Sequence, residues 1–500
     1  MSAWPRFDFA APVPAADELG AVHFIAIGGS GMSGVARMFL ERGIPVSGSD
    51  RADSATLRML EGEGARVEIG HDPANLHLVG AETVIVSSAI SESNPELAAA
   101  RAAGLRVLHR SQGIAALLSG RDAIAIAGAN GKTTTSAMVT FALRAVGLDP
   151  GYVIGAPLAG TGVSAESGAP GSPMVIEADE SDGSFLVYRP QIAVVTNVQP
   201  DHLDFYGDVE SVERAYAAFA ATIAIGGLLV TNADDPGAAR LAAHARREGI
   251  RVLTWGTDGE KPEADAADAA DVVLSDLATE GMNTCATLTF TTNVGQVAAG
   301  ESVQLRLPVP GLHSLHNGTA AVLAAVAGLR LPLAPVLAGL AAFPGAHRRF
   351  ELVGEAGGVE VVDDYAHNAP KVTAVVEAAR SAAHGRRLVI AFQPHLFSRT
   401  RDFAPGFAAG LAAADVLLLL PVYGAREQQE QYPDVTSALL AELVTAHGSG
   451  TQVHLAADVA SSPYQLASLV RAGDLVVTVG AGDITTVGPQ LLQLIGEGRA

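Results

Sequence analysis

The chain contains a single cysteine, Cys285, among 500 residues. One thiol can form neither an intramolecular disulfide nor a cysteine-based zinc site, and this scarcity fits a protein of a reducing compartment. The residues around it, "MNTCATLTF", predict a strand rather than the surroundings of a catalytic thiol. Cysteine chemistry is therefore not expected to carry the function.

Positive charge is also scarce, because 32 Lys and Arg residues stand against 53 Asp and Glu residues, a formal net charge of −21. A basic face that binds nucleic acid or an anionic membrane is therefore not expected. An anionic substrate would need positive groups concentrated at its own binding site.

Long uninterrupted apolar runs are missing as well. The stretch 320–343, rich in alanine and leucine, is broken by Arg330, Pro332 and Pro335 and predicts core helices, not a membrane span. The first twenty residues contain prolines and acids without an apolar centre, so we expect no signal peptide. These absences predict a cytoplasmic protein that binds neither membranes nor nucleic acid.

What the chain does contain is a repeated alternation of strand-like and helical segments. Its length exceeds one compact core, and we predict three domains, 1–119, 120–343 and 344–500. The alternation predicts an α/β fold with mostly parallel sheets. A more polar alternating stretch in the second block, "ATLTFTTNVGQVAAGESVQLRLPVPG", predicts an antiparallel hairpin insert.

A first glycine-rich turn lies in "VHFIAIGGSGMSGVARMFL", where Gly29, Gly31 and Gly34 form a GxGxxG between a strand and a helix. Asp50 follows nineteen residues after Gly31, at the end of the next predicted strand. This pattern lets a backbone approach a diphosphate at a helix N-terminus. Alone, it leaves open NAD or FAD, another diphosphate-bearing ligand, or a tight turn needed for packing.

A second glycine-rich turn lies in "AIAIAGANGKTTTSAMV", from Gly128 to Thr133. It is a shortened phosphate loop, since the commoner GxxxxGK[ST] would place glycine at the position of Ile126. Backbone N–H groups and Lys132 can hold the β- and γ-phosphates of ATP, and the Thr133 hydroxyl can reach Mg²⁺. The alternative is a glycine-rich turn without a ligand.

Two side chains beyond this loop are candidate metal ligands. Glu177 ends the strand "MVIE" and His202 follows another strand in "TNVQPDHLDFYG", at the sheet edge where ligands gather. Mg²⁺ prefers oxygen, so Glu177 with Thr133 makes an ordinary first site, whereas His202 could equally be a structural residue. The nearby acids are expected mostly to be solvated or to cap helices. They are Asp179, Glu180, Asp182, Asp201 and Asp204.

These motifs occur in one order with several others: "GSD", "EADESD", "HSLHNGTAA", "FPGAHRRFE", "VVDDYAHN", "FQPHLFSRTRD" and "GAGDI". Over 20–490 the set resembles the Mur ligases of peptidoglycan synthesis. The resemblance implies a Rossmann-like N-terminal domain that binds a UDP-sugar, a central P-loop ATPase-like domain that binds ATP, and a Rossmann-like C-terminal domain that brings the amino acid.

The resemblance also implies a reaction. The lactyl carboxylate of UDP-N-acetylmuramate attacks the γ-phosphate of ATP, and the amine of L-alanine then displaces phosphate from the acyl phosphate, with ATP and Mg²⁺ as cofactors. Attachment of a recycled tripeptide to the same sugar nucleotide is the alternative within the family. An NAD-dependent oxidoreductase, suggested by the first loop and Asp50, would leave Lys132, Thr133 and Glu177 without a role. A non-catalytic nucleotide-binding module is a third alternative, and a monomer or weak homodimer is expected.

The site residues implied by the resemblance fall into four groups. The UDP-sugar group is Gly28, Gly29, Ser30, Gly31, Met32, Ser49 and Asp50. The ATP group is Gly128, Ala129, Asn130, Gly131, Lys132, Thr133, Thr134, Asn317, Arg349 and Asp364. The metal group is Thr133, Glu177 and His202, and the amino-acid group is Tyr365, His367, Arg399 and Arg401. The residues implied in catalysis are Lys132, Glu177, His202, Arg349 and Asp364.

The chain departs from the family pattern at several positions. Ala129 stands where threonine is usual, Ser314 where asparagine is common, and Asn368-Ala369-Pro370 where His-His-Pro is usual. Tyr216 occupies the position of a lysine that is carbamylated in relatives adding later residues, which favours the alanine-adding branch. Outside the resemblance, Arg399 and Arg401 could simply cap a helix.

Overall fold

The computed structural model describes residues 7–259 and 270–498. Its backbone forms two compact units, unit 1 and unit 2. Unit 1 comprises Met1–Ser275, Thr287–Val303 and His316–Leu340, and unit 2 comprises Asp276–Ala286, Gln304–Leu315 and Ala341–Ala500. The domain boundaries at 119/120 and 343/344 remain predictions.

The first sheet is entirely parallel and has the strand order β3-β2-β1-β4-β5. Its elements are β1 Val22–Ile25, α1 Ser30–Glu41, β2 Val46–Asp50, α2 Ala55–Gly62, β3 Arg66–Ile69, β4 Thr83–Val86, α3 Pro95–Ala102, β5 Arg106–His109 and α4 Arg110–Leu117. The order reverses at β1, so the turn after β1 lies at the switch point where such sheets bind ligands.

The second sheet has ten strands in the order β15-β14-β13-β12-β11-β10-β6-β9-β7-β8. Its first elements are β6 Ala123–Ala127, α5 Lys132–Ala145, β7 Gly151–Val153, β8 Ala165–Glu166, β9 Met174–Glu177, β10 Ile192–Val195, α6 Leu203–Tyr206, α7 Val209–Ala221, β11 Leu228–Asn232 and α8 Pro236–Arg247. They are followed by β12 Arg251–Thr257, β13 Val272–Glu280, β14 Asn283–Phe290, β15 Ser302–Leu307, α9 Leu312–Leu323 and α10 Leu333–Ala341.

The predicted antiparallel insert is confirmed in this sheet. Strands β6, β9, β10, β11 and β12 pair in parallel. Within the predicted stretch, β14 and β15 are neighbours in the sheet. At the end of β14 the Phe290 N–H donates to the Glu301 carbonyl at 2.9 Å, and the Phe290 carbonyl accepts from the Gly300 N–H at 2.7 Å, as in antiparallel neighbours. Cys285 lies in β14, as its surroundings predict. Most of the alanine-rich stretch 320–343 is helical, as predicted, and it is buried up to Ala327 and again at Val336, Leu340 and Phe343.

The third sheet has the order β16-β17-β21-β18-β19-β20, and only β16 and β17 pair antiparallel. Its elements are β16 Glu351–Ala356, β17 Val359–Asp364, α11 Ala369–Ala383, β18 Leu388–Phe392, α12 Phe397–Asp402, α13 Ala404–Leu411, β19 Val416–Leu419, α14 Ser437–Ala446, β20 Gln452–Leu455, α15 Ser462–Leu469, β21 Leu475–Val479 and α16 Val487–Gly496.

An apolar core covers each face of the third sheet. In β18, Leu388, Ile390 and Phe392 pack into one core, and Val389 and Ala391 pack into the other. This alternation follows from the two-residue period of a strand, and it explains why the central strands read as continuous apolar runs. Among the described residues, none of the helices combines the length and apolarity needed to cross a membrane.

Candidate active site

The second glycine-rich turn joins β6 to α5 in a conformation that requires glycine at two positions. Gly128 has φ +133° and Gly131 has φ +87°. A Cβ on Gly131 would lie 2.6 Å from Asn317 Oδ1, and one on Gly128 would clash with Thr196 Oγ1. Because α5 begins at Lys132, the N–H groups of its first turn border this loop, and the positive end of the helix dipole favours an anion there.

The loop is fixed by the residues that follow β10, the parallel neighbour of β6. The Asn130 carbonyl accepts from Thr196 Oγ1 at 2.6 Å and from Asn197 Nδ2 at 3.0 Å. The Asn130 N–H donates to Asn197 Oδ1 at 3.0 Å. Ala129, the departure from the family pattern in this loop, is buried.

Lys132 lies between the loop and an acid that follows β9. Its ammonium donates to the Gly128 carbonyl at 2.7 Å and to both carboxylate oxygens of Glu180 at 2.8 Å. Burial by itself would lower the pKa of Lys132, but the adjacent Glu180 carboxylate outweighs burial and raises that pKa. Lys132 is therefore a fixed positive charge beside the loop.

The structure brings Thr133 and Glu177 together. The Thr133 hydroxyl donates to Glu177 Oε1 at 3.0 Å, and the Gly155 N–H donates to Glu177 Oε2 at 2.6 Å. Both oxygens of the carboxylate are thus oriented by neighbours. A hydroxyl and a carboxylate placed side by side form an oxygen donor set of the kind Mg²⁺ prefers.

His202 joins a second group of possible metal ligands. One ligand atom from each of Asp179, Glu180 and His202 lies within 4.8 Å of the others. His202 Nε2 is 3.9 Å from Glu180 Oε1 and 3.9 Å from Asp201 Oδ2. His202 has φ +53°, a left-handed conformation in a non-glycine residue, which is often held at functional sites.

The structure corrects the reading of Glu180, one of the acids expected to be solvated or to cap helices, whereas Asp182 bonds to the first N–H of a short helix as expected. Glu180 is 2 % exposed and is paired with Lys132. Asp182 accepts hydrogen bonds from the Ser88 hydroxyl and the Ser184 N–H. The side chain of Asp204 lies outside the described set.

The first glycine-rich turn is closely packed and contacts Asp50. The Gly28 N–H donates to Asp50 Oδ2 at 2.9 Å. A Cβ on Gly31 would clash with the Arg110 guanidinium, and one on Gly34 would lie 2.7 Å from Ala165 Cβ. Packing of α1 against Ala165 therefore requires glycine at position 34, whereas the contact at Gly31 is with the flexible end of the Arg110 side chain.

The other residues predicted to bind at this turn differ in their surroundings. Gly29 is the residue before α1 and has an extended conformation. Met32 is 3 % exposed and packs in the apolar core, and the side chain of Ser30 lies outside the described set. The binding roles of these residues stay predictions.

Ser49 belongs to a buried polar network that the sequence did not reveal. Its hydroxyl donates to Glu96 Oε2 at 2.5 Å and lies 2.8 Å from His71 Nδ1. Glu96 also accepts from Asn75 Nδ2 at 2.7 Å and lies 3.6 Å from His23 Nε2. Burial tends to raise the pKa of Glu96, but the nearby imidazole of His23 and hydrogen bonds from Ser49 and Asn75 lower it on balance. A charged carboxylate thus fixes the end of β2.

A second network missed by the sequence connects the first sheet with the loop after β9. His109 Nε2 lies 3.0 Å from Ser88 Oγ and 3.7 Å from Asp182 Oδ2, and the Ser88 hydroxyl donates to Asp182. Ser88 follows β4 and His109 ends β5, so residues far apart in sequence meet here. Only the parallel arrangement of the strands reveals this proximity.

Asn317 and Ser314 lie in α9 but differ in their contacts. Asn317 is 7 % exposed, and its side chain lies against Gly131 of the second loop. The Ser314 hydroxyl donates to the Pro310 carbonyl at 2.9 Å. Ser314 therefore serves the first turn of the helix, which accounts for the hydroxyl at this departure from the family pattern.

In unit 2, Asp364 ends β17 and accepts hydrogen bonds from the N–H groups of Phe350 at 2.8 Å and Ala366 at 2.7 Å. Burial raises the pKa of Asp364 to about 6, against the opposing charge of Arg349. The Arg349 guanidinium lies over the Tyr365 ring at 5.6 Å. Three predicted residues thus form one group.

The structure also groups Tyr365, His367 and Arg399. His367 Nδ1 lies 3.0 Å from the Tyr365 carbonyl oxygen, and Arg399 Nη1 donates to the His367 carbonyl at 3.4 Å. Burial lowers the pKa of His367 to about 4, so the ring is neutral near pH 7. Arg401 has different partners, since it pairs with Asp402 at 2.7 Å and lies over the Tyr432 ring at 5.6 Å.

Three family models match the chain, with the descriptions "Mur ligase family, catalytic domain" over 21–122, "Mur ligase middle domain" over 126–325 and "Mur ligase, glutamate ligase domain" over 348–482. A UDP-N-acetylmuramate–L-alanine ligase of Kineococcus radiotolerans is 50% identical over 97% of this chain and 98% of its own length. A ligase of the same name from Thermobifida fusca is 46% identical over 96% of this chain and 98% of its own length.

Solved structures agree on the fold. The crystal structure of a UDP-N-acetylmuramate–alanine ligase from Thermotoga maritima has a TM-score of 0.75 at 24% identity, covering 96% of this chain and 99% of that one. A murein peptide ligase from Psychrobacter arcticus has a TM-score of 0.65 at 24% identity, covering 95% and 99%. At this identity the likeness is one of architecture.

Proposed function

The chain belongs to the Mur ligase family, and from this premise we propose that it joins L-alanine to UDP-N-acetylmuramate, with ATP converted to ADP and phosphate. The substrates are those in the names of relatives 44–50% identical over nearly the whole chain. The observation that carries the chemistry is the glycine-rich turn at the start of α5, with Lys132 and the Thr133–Glu177 pair beside it.

The reaction needs activation because a carboxylate is a poor acceptor for an amine. Transfer of the γ-phosphoryl group to the lactyl carboxylate gives an acyl phosphate with a good leaving group. The N–H groups at the start of α5 and the ammonium of Lys132 bind phosphate oxygens where negative charge develops. The L-alanine amine then attacks the carbonyl carbon and phosphate leaves.

A divalent cation such as Mg²⁺ fits two donor sets in unit 1. Thr133 and Glu177 offer oxygen alone, and Asp179, Glu180 and His202 offer two carboxylates and an imidazole. When bound, the cation neutralises charge on the phosphates and polarises the phosphoryl group. The protein side chains orient the donors, and Lys132 supplies further positive charge.

The UDP-sugar is proposed to bind at the first glycine-rich turn. Support comes from the strand order of the first sheet, which places this turn and Asp50 at its switch point. The network of Glu96 and Ser49 holds the end of β2 and thereby the backbone before Asp50.

In unit 2, Arg399 is proposed to bind the carboxylate of L-alanine beside Tyr365 and His367, because a guanidinium can bind a carboxylate through two hydrogen bonds. The nucleotide roles of Arg349 and Asp364 stay predictions. Arg401 is not included in the proposed pocket, because its contacts are with Asp402 and Tyr432.

The alternatives are less well supported. The recycling ligase is not favoured, because the relatives at 44–50% identity are named for L-alanine. An oxidoreductase would leave the loop at Gly128–Thr133 without a ligand. A non-catalytic module is disfavoured by the intact set of Lys132, Thr133, Glu177 and His202.

The test is phosphate release from ATP with Mg²⁺ and UDP-N-acetylmuramate, measured with L-alanine, glycine, L-serine, D-glutamate or the recycled tripeptide as the amine. We expect the highest kcat/KM with L-alanine, and the Lys132→Ala variant serves as the blank. Release with the tripeptide alone would assign the chain to recycling. No amine-dependent release at all would reject a ligase of this type.

A further inference from the structure

The residues predicted to bind the UDP-sugar at the first glycine-rich turn include one acid, Asp50, and neither lysine nor arginine. The chain as a whole has a formal net charge of −21. A diphosphate is itself negatively charged, so its binding to an acidic protein requires positive charge close to the turn. The dipole of α1 supplies about half an elementary charge there, and a full positive charge must come from elsewhere in the fold.

Arg110 brings a guanidinium to this turn from another element. It is the first residue of α4, whereas Gly31 lies in the first turn of α1. A Cβ on Gly31 would lie 3.1 Å from Arg110 Cζ and closer still to Nη1. Gly31 is helical, a conformation that any residue adopts, so its backbone alone does not require glycine. The missing side chain leaves room for the guanidinium to lie directly on the first turn of α1.

This guanidinium has no protein partner within residues 7–259 and 270–498, where it donates no hydrogen bond and pairs with no carboxylate. The Asp50 carboxylate accepts instead from the N–H groups of Gly28 and Arg51, at 2.9 Å and 2.7 Å. Arg110 is nevertheless partly buried. Partial burial removes water from its N–H donors without replacing the hydrogen bonds, which costs free energy that a bound anion would offset.

The position of Arg110 in α4 is also unfavourable for a cation, because the N-terminus of a helix is the positive end of its dipole. The backbone here is held by a capping box. The His109 N–H donates to Gln112 Oε1 at 2.9 Å, and the Ser111 N–H donates to His109 Nδ1 at 3.3 Å. The start of α4 is thus fixed, and it holds the base of the Arg110 side chain beside the first glycine-rich turn.

We propose that Arg110 binds the diphosphate of the UDP-sugar, with its guanidinium donating to phosphate oxygens at the first turn of α1. The inference rests on the proposed function for the identity of the ligand, and it adds the cation of the UDP-sugar site. A guanidinium suits this role because its planar donors can make two parallel hydrogen bonds to one phosphate group. Because position 31 has no side chain, the guanidinium and the helix N-terminus can act on the same diphosphate.

The experiment measures the Kd of the full chain for UDP-N-acetylmuramate and for UDP by calorimetric titration. Mg²⁺ and a non-hydrolysable ATP analogue are present, and L-alanine is left out. Arg110→Met removes the charge and keeps an aliphatic stem against α1. Its Kd for both uridine ligands should be at least about tenfold higher than that of the wild type, since charge-assisted hydrogen bonds are lost.

Two further measurements separate this role from a general effect of charge. Arg110→Lys should give intermediate Kd values, because an ammonium keeps the charge but not the two parallel hydrogen bonds. The Kd for the ATP analogue alone should be the same in the wild type, Arg110→Met and Arg110→Lys, because ATP is assigned to the loop at Gly128–Thr133.

Arg42→Met is the matched control, because Arg42 lies at the other end of the same two helices. Arg42 follows α1, and its Nη2 donates at 2.7 Å to the carbonyl of Leu117, the last residue of α4. Loss of this bond should lower the urea midpoint and leave the Kd for UDP-N-acetylmuramate unchanged. Arg110→Met should do the reverse, with a urea midpoint equal to or above that of the wild type, since a cation is removed from a helix start.

Equal Kd values for UDP-N-acetylmuramate in the wild type and Arg110→Met would overturn the inference, and amine-dependent phosphate release by the wild type would still support the proposed function. An equal rise in the Kd for the ATP analogue, or no binding of either uridine ligand by the wild type, would also overturn the inference. A raised Kd for both uridine ligands without any amine-dependent phosphate release would support the inference and reject the proposed function.

Discussion

Lys132 and Glu180 form a buried ion pair in which the ammonium nitrogen lies 2.8 Å from each carboxylate oxygen. Lys132 is the residue proposed to bind phosphate oxygens, and Glu180 is one of three possible ligands of a cation. Phosphates and Glu180 therefore compete for the same ammonium. On the proposed function, phosphates that bind Lys132 would free the Glu180 carboxylate to bind a cation together with Asp179 and His202, so nucleotide and cation binding should favour each other.

The two functions of Lys132 can be separated by a double variant. Lys132→Ala should lower kcat/KM by about 10²–10³-fold, because a positive charge on the phosphates is lost. It should also lower the free energy of unfolding by about 3 kcal/mol, since Glu180 is left buried without a partner. Lys132→Ala/Glu180→Gln should recover most of the stability in urea unfolding and none of the activity. Recovery of activity by the double variant would contradict a phosphate-binding role.

Gly131 must be glycine because of both its backbone conformation and its packing, whereas the control residue Gly147 is constrained by its backbone conformation alone. Gly131 and Gly147 have φ +87° and +84°, but a Cβ would meet Asn317 Oδ1 only at Gly131, whereas Gly147 faces open space. Alanine at either position should lower the free energy of unfolding by about 1–2 kcal/mol through backbone strain.

Only Gly131→Ala should also raise the Kd for ATP, because the loop must move away from Asn317. Calorimetric titration with ATP and urea unfolding of both variants provide the two measurements. An equal effect of both substitutions on the Kd would mean that the loop does not bind the nucleotide.

Asp364 should make the stability of unit 2 depend on pH. Its pKa is raised to about 6 in the folded chain, against about 3.9 for an unfolded aspartate. The folded state binds the proton of Asp364 more tightly than the unfolded state does. The contribution of Asp364 to the free energy of unfolding is therefore largest below pH 4 and decreases as the pH rises from about 4 to 6. The two-unit difference corresponds to about 3 kcal/mol.

The Asp364→Asn variant should lack this decrease. Urea unfolding of the wild type and the variant is measured at several pH values between 4 and 7. As the pH rises, the free energy of unfolding of the wild type should decrease relative to that of the variant. A difference that is constant with pH would show that Asp364 does not titrate in this range.

Local sequence patterns were sufficient for the fold class and for the second loop. Buried strands read as apolar runs because parallel sheets are covered on both faces, and two glycines with lysine and threonine define the turn before α5. These features depend on neighbours in sequence. The confirmed antiparallel insert also follows from such a pattern, through the polar alternation around β14 and β15.

Contacts made by the tertiary arrangement could not be predicted in the same way. Glu96 is the second residue of α3, and its sequence position predicts an ordinary acid at the start of a helix. In the structure it is fully buried and accepts a hydrogen bond from Ser49. Glu180 reads as one acid among several, and only the neighbouring positions of β6 and β9 bring it to Lys132. In both cases the partner of the carboxylate lies on an element distant in sequence, which sequence spacing does not reveal.

Arg399 and Arg401 read alike in "FSRTRD" but have different surroundings, which provides a direct test of the proposed amino-acid pocket. Arg399 donates a hydrogen bond to the His367 carbonyl, whereas the side chain of Arg401 is 56 % exposed and pairs with Asp402.

Arg399→Ala should raise the KM for L-alanine by about tenfold or more, since a charge-assisted contact with a carboxylate is worth about 1.5–3 kcal/mol. Arg401→Ala should leave that KM within about twofold, because an exposed ion pair is screened by solvent and, on this assignment, does not touch the substrate. Steady-state phosphate release at saturating ATP and UDP-N-acetylmuramate measures both, and a larger effect of Arg401→Ala would place the carboxylate at α12's exposed face instead.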